Sequence, residues 1–191
     1  PKNPRHGSNN AGRGNNKKKS KLIDPSLFVN KDVKPAQQID YSAKHKFTDF
    51  GFDSRIERNI LARGYETPTQ IQDEAIPAVL ERRDVLGLAN TGTGKTAAFI
   101  LPVINYLLKN EGKNDVLIIT PTRELAAQIE DDFRAFTKNI KLFSALCVGG
   151  TNMNPKIKAL AKEPHVVIGT PGRLKDLLEQ GKLDLAFTDT L

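Results

Sequence analysis

Four short apolar runs constrain this chain more than any other feature: DVLGLA (84–89), DVLIIT (115–120), KLFSALCV (141–148) and HVVIGT (165–170). Each precedes a segment with helical spacing. KTAAFILPVINYLLK (95–109) follows the first, and RELAAQIEDDFRAF (123–136) follows the second, with Leu125, Ile129, Phe133 and Phe136 on one side. MNPKIKALAKE (153–163) and GRLKDLLEQG (172–181) complete the alternation. Short apolar strands alternating with helices predict an α/β fold, a parallel sheet covered on both faces. Two further helices are expected upstream, at about 53–63 with Ile56, Ile60 and Leu61 on one side, and from Thr69 to about Arg82.

The chain has 191 residues, enough for one such domain and short for two. Cys147 is its only cysteine, so an intramolecular disulfide is excluded. A buried thiol in a reducing, cytoplasmic setting is the expectation. The three histidines have no metal-ligand spacing, and the uncharged apolar run TAAFILPVINYLL is too short to span a bilayer. Net charge is +7, unevenly placed. Residues 1–46 hold 11 Lys/Arg against 3 Asp/Glu, and residues 47–191 hold 18 against 19. The leader 1–46 opens with a Gly/Asn/Lys-rich stretch (1–21) that buries too little to fold and continues through a short apolar patch, LIDPSLFV (22–29); it is expected to be disordered. It is either a solvated tail or an electrostatic tether to nucleic acid. The body is near neutral, so ligand binding there must come from placed groups.

ANTGTGKT (89–96) sits between a predicted strand and a predicted helix. Gly92 and Gly94 permit torsions and close approach that side chains forbid. The backbone N–H groups of Ala89, Asn90, Thr91, Gly92, Thr93 and Gly94 can then form an anion nest at a helix N-terminus. Lys95 suits the β- and γ-phosphates, and the Thr96 hydroxyl suits Mg2+. Two other junctions share a form, ITPTREL (119–125) and IGTPGRL (168–174). Each reads as a helix start, with Thr120 or Thr170 as N-cap and Pro121 or Pro171 in the first turn. In a parallel sheet all strand-to-helix junctions open on one rim, where ligands bind. Pro121, Thr122 and Arg123, Gly149–Gly150, and Thr170, Pro171, Gly172 and Arg173 could there line up on a phosphate chain. Upstream, RGYETPTQIQ offers Gln72, an amide able to make a two-point contact with adenine. Tyr65, Thr67 and the more distant Phe47 could complete a base site.

Together these motifs resemble the first RecA-like domain of the DEAD-box ATP-dependent RNA helicases, of bacterial type. GYETPTQIQ looks like the Q motif (about 45–73, with Phe47 as its upstream aromatic), and the ATP-binding core runs from about 76. ANTGTGKT looks like motif I, PTRELA like Ia, Gly149–Gly150 like the GG element and TPGRL like Ib. Asn90 and Thr93 depart mildly from the usual loop. The resemblance covers about 47–191. It implies ATP and Mg2+ as ligands, with Lys95 and Thr96 catalytic. It implies Gln72 reading adenine with Phe47 stacked on it, and RNA gripped by its backbone whatever its sequence. The family's Asp-Glu-Ala-Asp motif is expected beyond LAFTDTL, so the sequence reads as a fragment truncated at both ends and inactive alone. A P-loop NTPase acting on DNA and a non-enzymatic RNA-binding scaffold are the competing readings.

Overall fold

The computed structural model describes residues 41–110, 116–150, 153–186 and 188–191. The expectations for residues 1–40 lie outside them. Helices α1 (Ser54–Ala62) and α2 (Gln70–Leu80) precede α3 (Lys95–Lys109). Then β1 (Val116–Ile119), α4 (Arg123–Phe136), β2 (Ser144–Cys147), α5 (Met153–Leu160), β3 (Val166–Gly169) and α6 (Pro171–Glu179) alternate. The strands form a parallel sheet in the order β1-β3-β2.

The sheet's side-chain period of two sorts the core into two layers. Val166 and Ile168 of β3 pack with Ile56, Ile60, Ile100, Ile104, Ile129 and Phe133 of α1, α3 and α4. Val167, between them, joins Leu160 of α5 and Leu174 and Leu177 of α6 on the opposite side. Both faces of the sheet are thus covered, as the apolar strands require. Cys147 is fully buried in the second layer and forms no disulfide. On α4, Ile129, Phe133 and Phe136 are buried as their spacing predicts. On α1, Ile56 and Ile60 are buried, but Leu61 is 65% exposed: it lies about 100° round the helix from Ile60, off the buried stripe.

Two expectations need correction. The run 84–89 is not a strand in this structure. Leu86 and Leu88 are 89% and 86% exposed. A strand needs a hydrogen-bonding neighbour as well as apolar residues. The outer edge of β1 is engaged at a single parallel bridge, Val116 with Thr190, where the Leu117 N–H donates to the Thr190 carbonyl at 3.0 Å. Asp189, just before that bridge, accepts hydrogen bonds from Tyr106 Oη (2.7 Å) and Arg82 Nη2 (3.3 Å). The Arg82 guanidinium also lies 4.0 Å over the Tyr106 ring. The segment at Thr190 meets β1 at that bridge, while 84–89 pairs with no strand among the described residues.

The second correction concerns the start of the ordered body. Tyr41, Lys44 and His45 all contact Asp73 of α2, so order reaches back at least to Tyr41, into the expected leader. A 3-10 turn, Phe47–Phe50, then leads into α1.

Candidate nucleotide and RNA interface

The parallel register sets the first half of the site. Ile119 and Cys147 both stand opposite Gly169, so Thr120, Val148 and Thr170 leave the sheet side by side. Two further bonds hold that rim: Thr120 N–H to the Gly169 carbonyl at 2.9 Å, and Thr170 N–H to the Cys147 carbonyl at 3.2 Å. A cavity of about 410 Å³ opens there, lined by Pro121, Thr122, Arg123, Glu124 and Thr170. The Ia-like and Ib-like junctions thus share one cleft.

Gly149–Gly150 joins them through Arg123, whose guanidinium lies across the two glycines. A Cβ built on Gly150 would stand 2.0 Å from Arg123 Nη1, and Gly150 has φ +76°. Only glycine accommodates both that torsion and that approach. Gly172 and Pro171 are exposed on the first turn of α6, and Arg173 is half-buried there. The expected matching helix starts are not alike. Thr170 stands at the N-cap position of α6 with Pro171 in the first turn, as read, but its side chain makes no capping hydrogen bond. The cap of α4 is Thr122, not Thr120; its side chain accepts from Leu125 N–H at 3.2 Å. The Thr120 hydroxyl instead donates to the Thr122 carbonyl at 3.0 Å, which holds that residue out of the strand and lets it cap.

The second half is the loop 89–96. Gly94 is the N-cap of α3 in the left-handed region, with φ +84°. Lys95 and Thr96 begin the helix. Lys95 Nζ donates to the carbonyls of Ala89 and Asn90, the second at 2.6 Å. Thr93 Oγ1 donates to the Asn90 carbonyl at 2.8 Å. The loop is therefore closed on its own lysine.

Gln72 ties this loop to α2. Its Oε1 accepts from Thr69 N–H at 3.0 Å, and its Nε2 donates to the Gly94 carbonyl at 3.2 Å. The Thr69 hydroxyl donates to the Thr93 carbonyl at 2.7 Å. Gln72 is 1% exposed. An amide has two donors and two acceptor sites. One of each is engaged inside the protein. Sequence reasoning gave Gln72 to adenine and missed this internal bridge. The signal for it was present in Thr69 and Gln72, the spacing of a capping box, which the structure contains.

The aromatics are placed more deeply than a stacking role suggests. Phe47 is 5% exposed and meets Phe50 and Tyr65 edge-on, with ring centroids 6.1 and 6.0 Å apart. Tyr65 continues to Phe136 at 5.7 Å. Thr67 is exposed at the surface. Among the described residues there is no group of three or more His, Cys, Asp or Glu able to hold a metal. Asp131 and Asp132 lie within α4, and Asp132 pairs with Arg63 at 2.9 Å. The hard oxygen of Thr96 fits Mg2+ as one protein ligand among phosphates and water.

Comparison with known proteins gives the same picture. Residues 69–189 match the model of the DEAD/DEAH box helicase family. The ATP-dependent rRNA helicase rrp-3 of Neurospora crassa is 44% identical over 154 residues, covering 81% of this chain and 30% of that protein. The probable ATP-dependent RNA helicase DDX47 of Homo sapiens is 51% identical over 119 residues, covering 62% and 26%. The DEAD-box ATP-dependent RNA helicase RhpA of Helicobacter pylori is 43% identical over 148 residues, covering 76% and 30%. The chain thus spans under a third of the length of these relatives. The crystal structure of a DEAD box protein from the hyperthermophile Methanococcus jannaschii superposes with a TM-score of 0.70 at 38% identity, covering 75% of this chain and 39% of that one. The relatives come from a fungus, a mammal, a bacterium and an archaeon, so it is the family rather than one branch of it that they establish. A parallel sheet whose strand ends carry the two Thr-Pro-x-Arg junctions and a Gly-Gly turn, with the match to the family model over residues 69–189, places this chain in the DEAD/DEAH box helicase family.

Proposed function

We propose that this chain supplies the ATP-binding and RNA-gripping face of an ATP-dependent RNA helicase. Gln72 reads adenine with its remaining donor and acceptor. Loop 89–96 holds the phosphates, and Thr96 gives Mg2+ one oxygen. When bound, that ion neutralises charge on the β- and γ-phosphates. Lys95 leaves the carbonyls of Ala89 and Asn90 for the same phosphates. Pro121, Thr122, Arg123, Gly149, Gly150, Thr170, Pro171, Gly172 and Arg173 meet the backbone of RNA without reading its sequence, since phosphates carry none. In the full-length protein, hydrolysis is coupled to local duplex opening, in a cytoplasmic setting. The observation that carries this reading is the Gln72 bridge: one buried side chain touches both the Q-like stretch and the phosphate loop.

Hydrolysis also needs a positioned water and positive charge at the developing γ-phosphate charge, which other residues of such an enzyme provide.

The test is made in the full-length protein. Lys95→Ala should lower ATP turnover by roughly 10²–10³, the cost of removing a donor aimed at developing charge. Arg123→Ala should weaken single-stranded RNA binding by similar factors for unrelated sequences. It should also reduce the log–log salt slope by about 0.7. Sequence-dependent losses, or ATPase unaffected by Lys95→Ala, would overturn the reading.

A further inference from the structure

Asp73 follows Gln72 on α2, and its side chain is 1% exposed. Three groups converge on its carboxylate. Tyr41 Oη donates at 2.5 Å and Lys44 N–H at 2.7 Å, both to Oδ2, and His45 Nδ1 stands 2.5 Å from Oδ1. All come from residues 41–45, which have no regular secondary structure of their own. Helix α2 gives them their anchor. Nothing in the nucleotide chemistry above uses this carboxylate, yet it occupies the position next to the amide that does.

The two neighbours hold two different pieces of chain. Gln72 holds Gly94 of the phosphate loop. Asp73 holds the strap 41–45, which runs straight into the Phe47–Phe50 turn, and Phe47 packs on Tyr65 of the Q-like stretch. Strap, first turns of α2 and phosphate loop thus form one connected series of contacts. A buried carboxylate is costly unless its oxygens are satisfied, and here three donors satisfy it. The strap therefore cannot lift from α2 without leaving that carboxylate unsatisfied in the interior.

We propose that Asp73 is a positioning residue of the nucleotide site: by clasping Tyr41, Lys44 and His45 it holds the strap on α2 and keeps Gln72 aligned for the base and the loop. The proposal rests on the reading that Gln72 faces the nucleotide. It predicts a class of change that a merely structural clasp would not give, namely altered base affinity and selectivity with chemistry intact.

The experiment compares four variants of the full-length protein, measuring ATP and GTP affinity and RNA-stimulated kcat and KM. Asp73→Asn keeps the volume but loses the charge, and one face of its amide becomes a donor. It should raise KM for ATP roughly 10-fold, the effect of one charge-assisted hydrogen bond. It should also narrow the ATP-over-GTP preference and leave kcat within about twofold. Tyr41→Phe removes one hydroxyl, does not threaten folding, and should raise KM about 3-fold in the same direction. Combined with Asp73→Asn, Tyr41→Phe should add nothing, because both variants act on one contact. Gln72→Ala is the reference arm. If Gln72→Ala weakens ATP binding while Asp73→Asn and Tyr41→Phe leave KM and base preference unchanged, this proposal fails alone. If Gln72→Ala has no effect either, the adenine-site reading fails with it.

Discussion

The rim proposed to face RNA is built on the sheet, whereas the loop proposed to hold phosphate is built beside it. Thr120, Val148 and Thr170 leave three strands that are paired in one register. Arg123 is laid over Gly149–Gly150. The loop 89–96 instead follows residues 84–89, which belong to no strand among the described residues. It is held by side chains: Lys95 on two carbonyls, Thr69 on Thr93, Gln72 on Gly94. Sheet pairing preorganises a site at no further cost on binding, because its hydrogen bonds are not exchanged. A loop closed on its own lysine must exchange bonds to bind. The two edges should therefore respond differently to the same kind of damage.

Glycine substitution gives the largest contrast. Gly94→Ala combines φ +84° with a Cβ 2.3 Å from Gln72 Nε2, an amide buried and bonded on both ends. That side chain cannot yield without losing its bridge. Nucleotide affinity should fall more than 10-fold, with a stability loss of about 1–2 kcal/mol from the left-handed torsion alone. Gly150→Ala has a similar torsion, φ +76°, but its clash is with the end of a long, exposed arginine. It should cost a similar stability, weaken RNA binding and leave ATP affinity unchanged. Adding Arg123→Ala should recover only the part due to the clash. Equal effects of both glycine variants on ATP would break the distinction between the two edges.

Hydrogen exchange sharpens it at smaller amplitude. Amides of Val166–Gly169, buried on both faces, should exchange near the global unfolding limit, while those of 84–89 should exchange quickly. Asp189→Ala should release the Tyr106 and Arg82 contacts and speed exchange at Leu117, whose N–H is bonded to Thr190, without affecting β2. Slow exchange at 84–89 would show that this run pairs in solution and that the loop is anchored as the rim is.

The same contrast explains what could be read from sequence. Helix α4 was legible to the residue, because Leu125, Ile129, Phe133 and Phe136 repeat its period. The three paired strands and the positions of both Thr-Pro-x-Arg junctions were legible from apolar runs and prolines. The run 84–89 looks the same as they do, but pairing is decided by a neighbour that local pattern does not contain. The choice between Thr120 and Thr122 as the α4 cap turned on how far β1 extends, again a matter of pairing. Asp73 was invisible because its partners lie 28 to 32 residues away in a segment with leader-like composition. Gln72 stands out for its motif, but its link to Gly94 crosses 22 residues and is set by the fold rather than by local pattern.

The smallest effect expected is also the most local, and it tests whether the loop side is held by discrete bonds. The Tyr41 hydroxyl is pushed up from its ordinary value near 10 to about 12, first by its hydrogen bond to Asp73, then by burial and by the negative charges of Asp73 and Glu74. Burial pushes the Asp73 carboxyl up, but the bonds from Tyr41, Lys44 and His45 outweigh it and hold the group below its usual range. A raised tyrosine contributes stability that is complete below its unfolded value and is lost as pH rises from about 10 through about 12. A lowered carboxylate contributes above its unfolded value and loses that contribution as acid drives pH through its folded one. Followed by phenolate absorbance, one of the three tyrosines should titrate near 12 and be absent from the curve of Tyr41→Phe. In Asp73→Asn the same step should return toward 10, because the charge and the accepting oxygen that hold the proton have both been weakened. A Tyr41 step that stayed near 12 in that variant would mean that burial, not the clasp, sets it, and the strap would then be held by packing in the manner of the sheet-built rim.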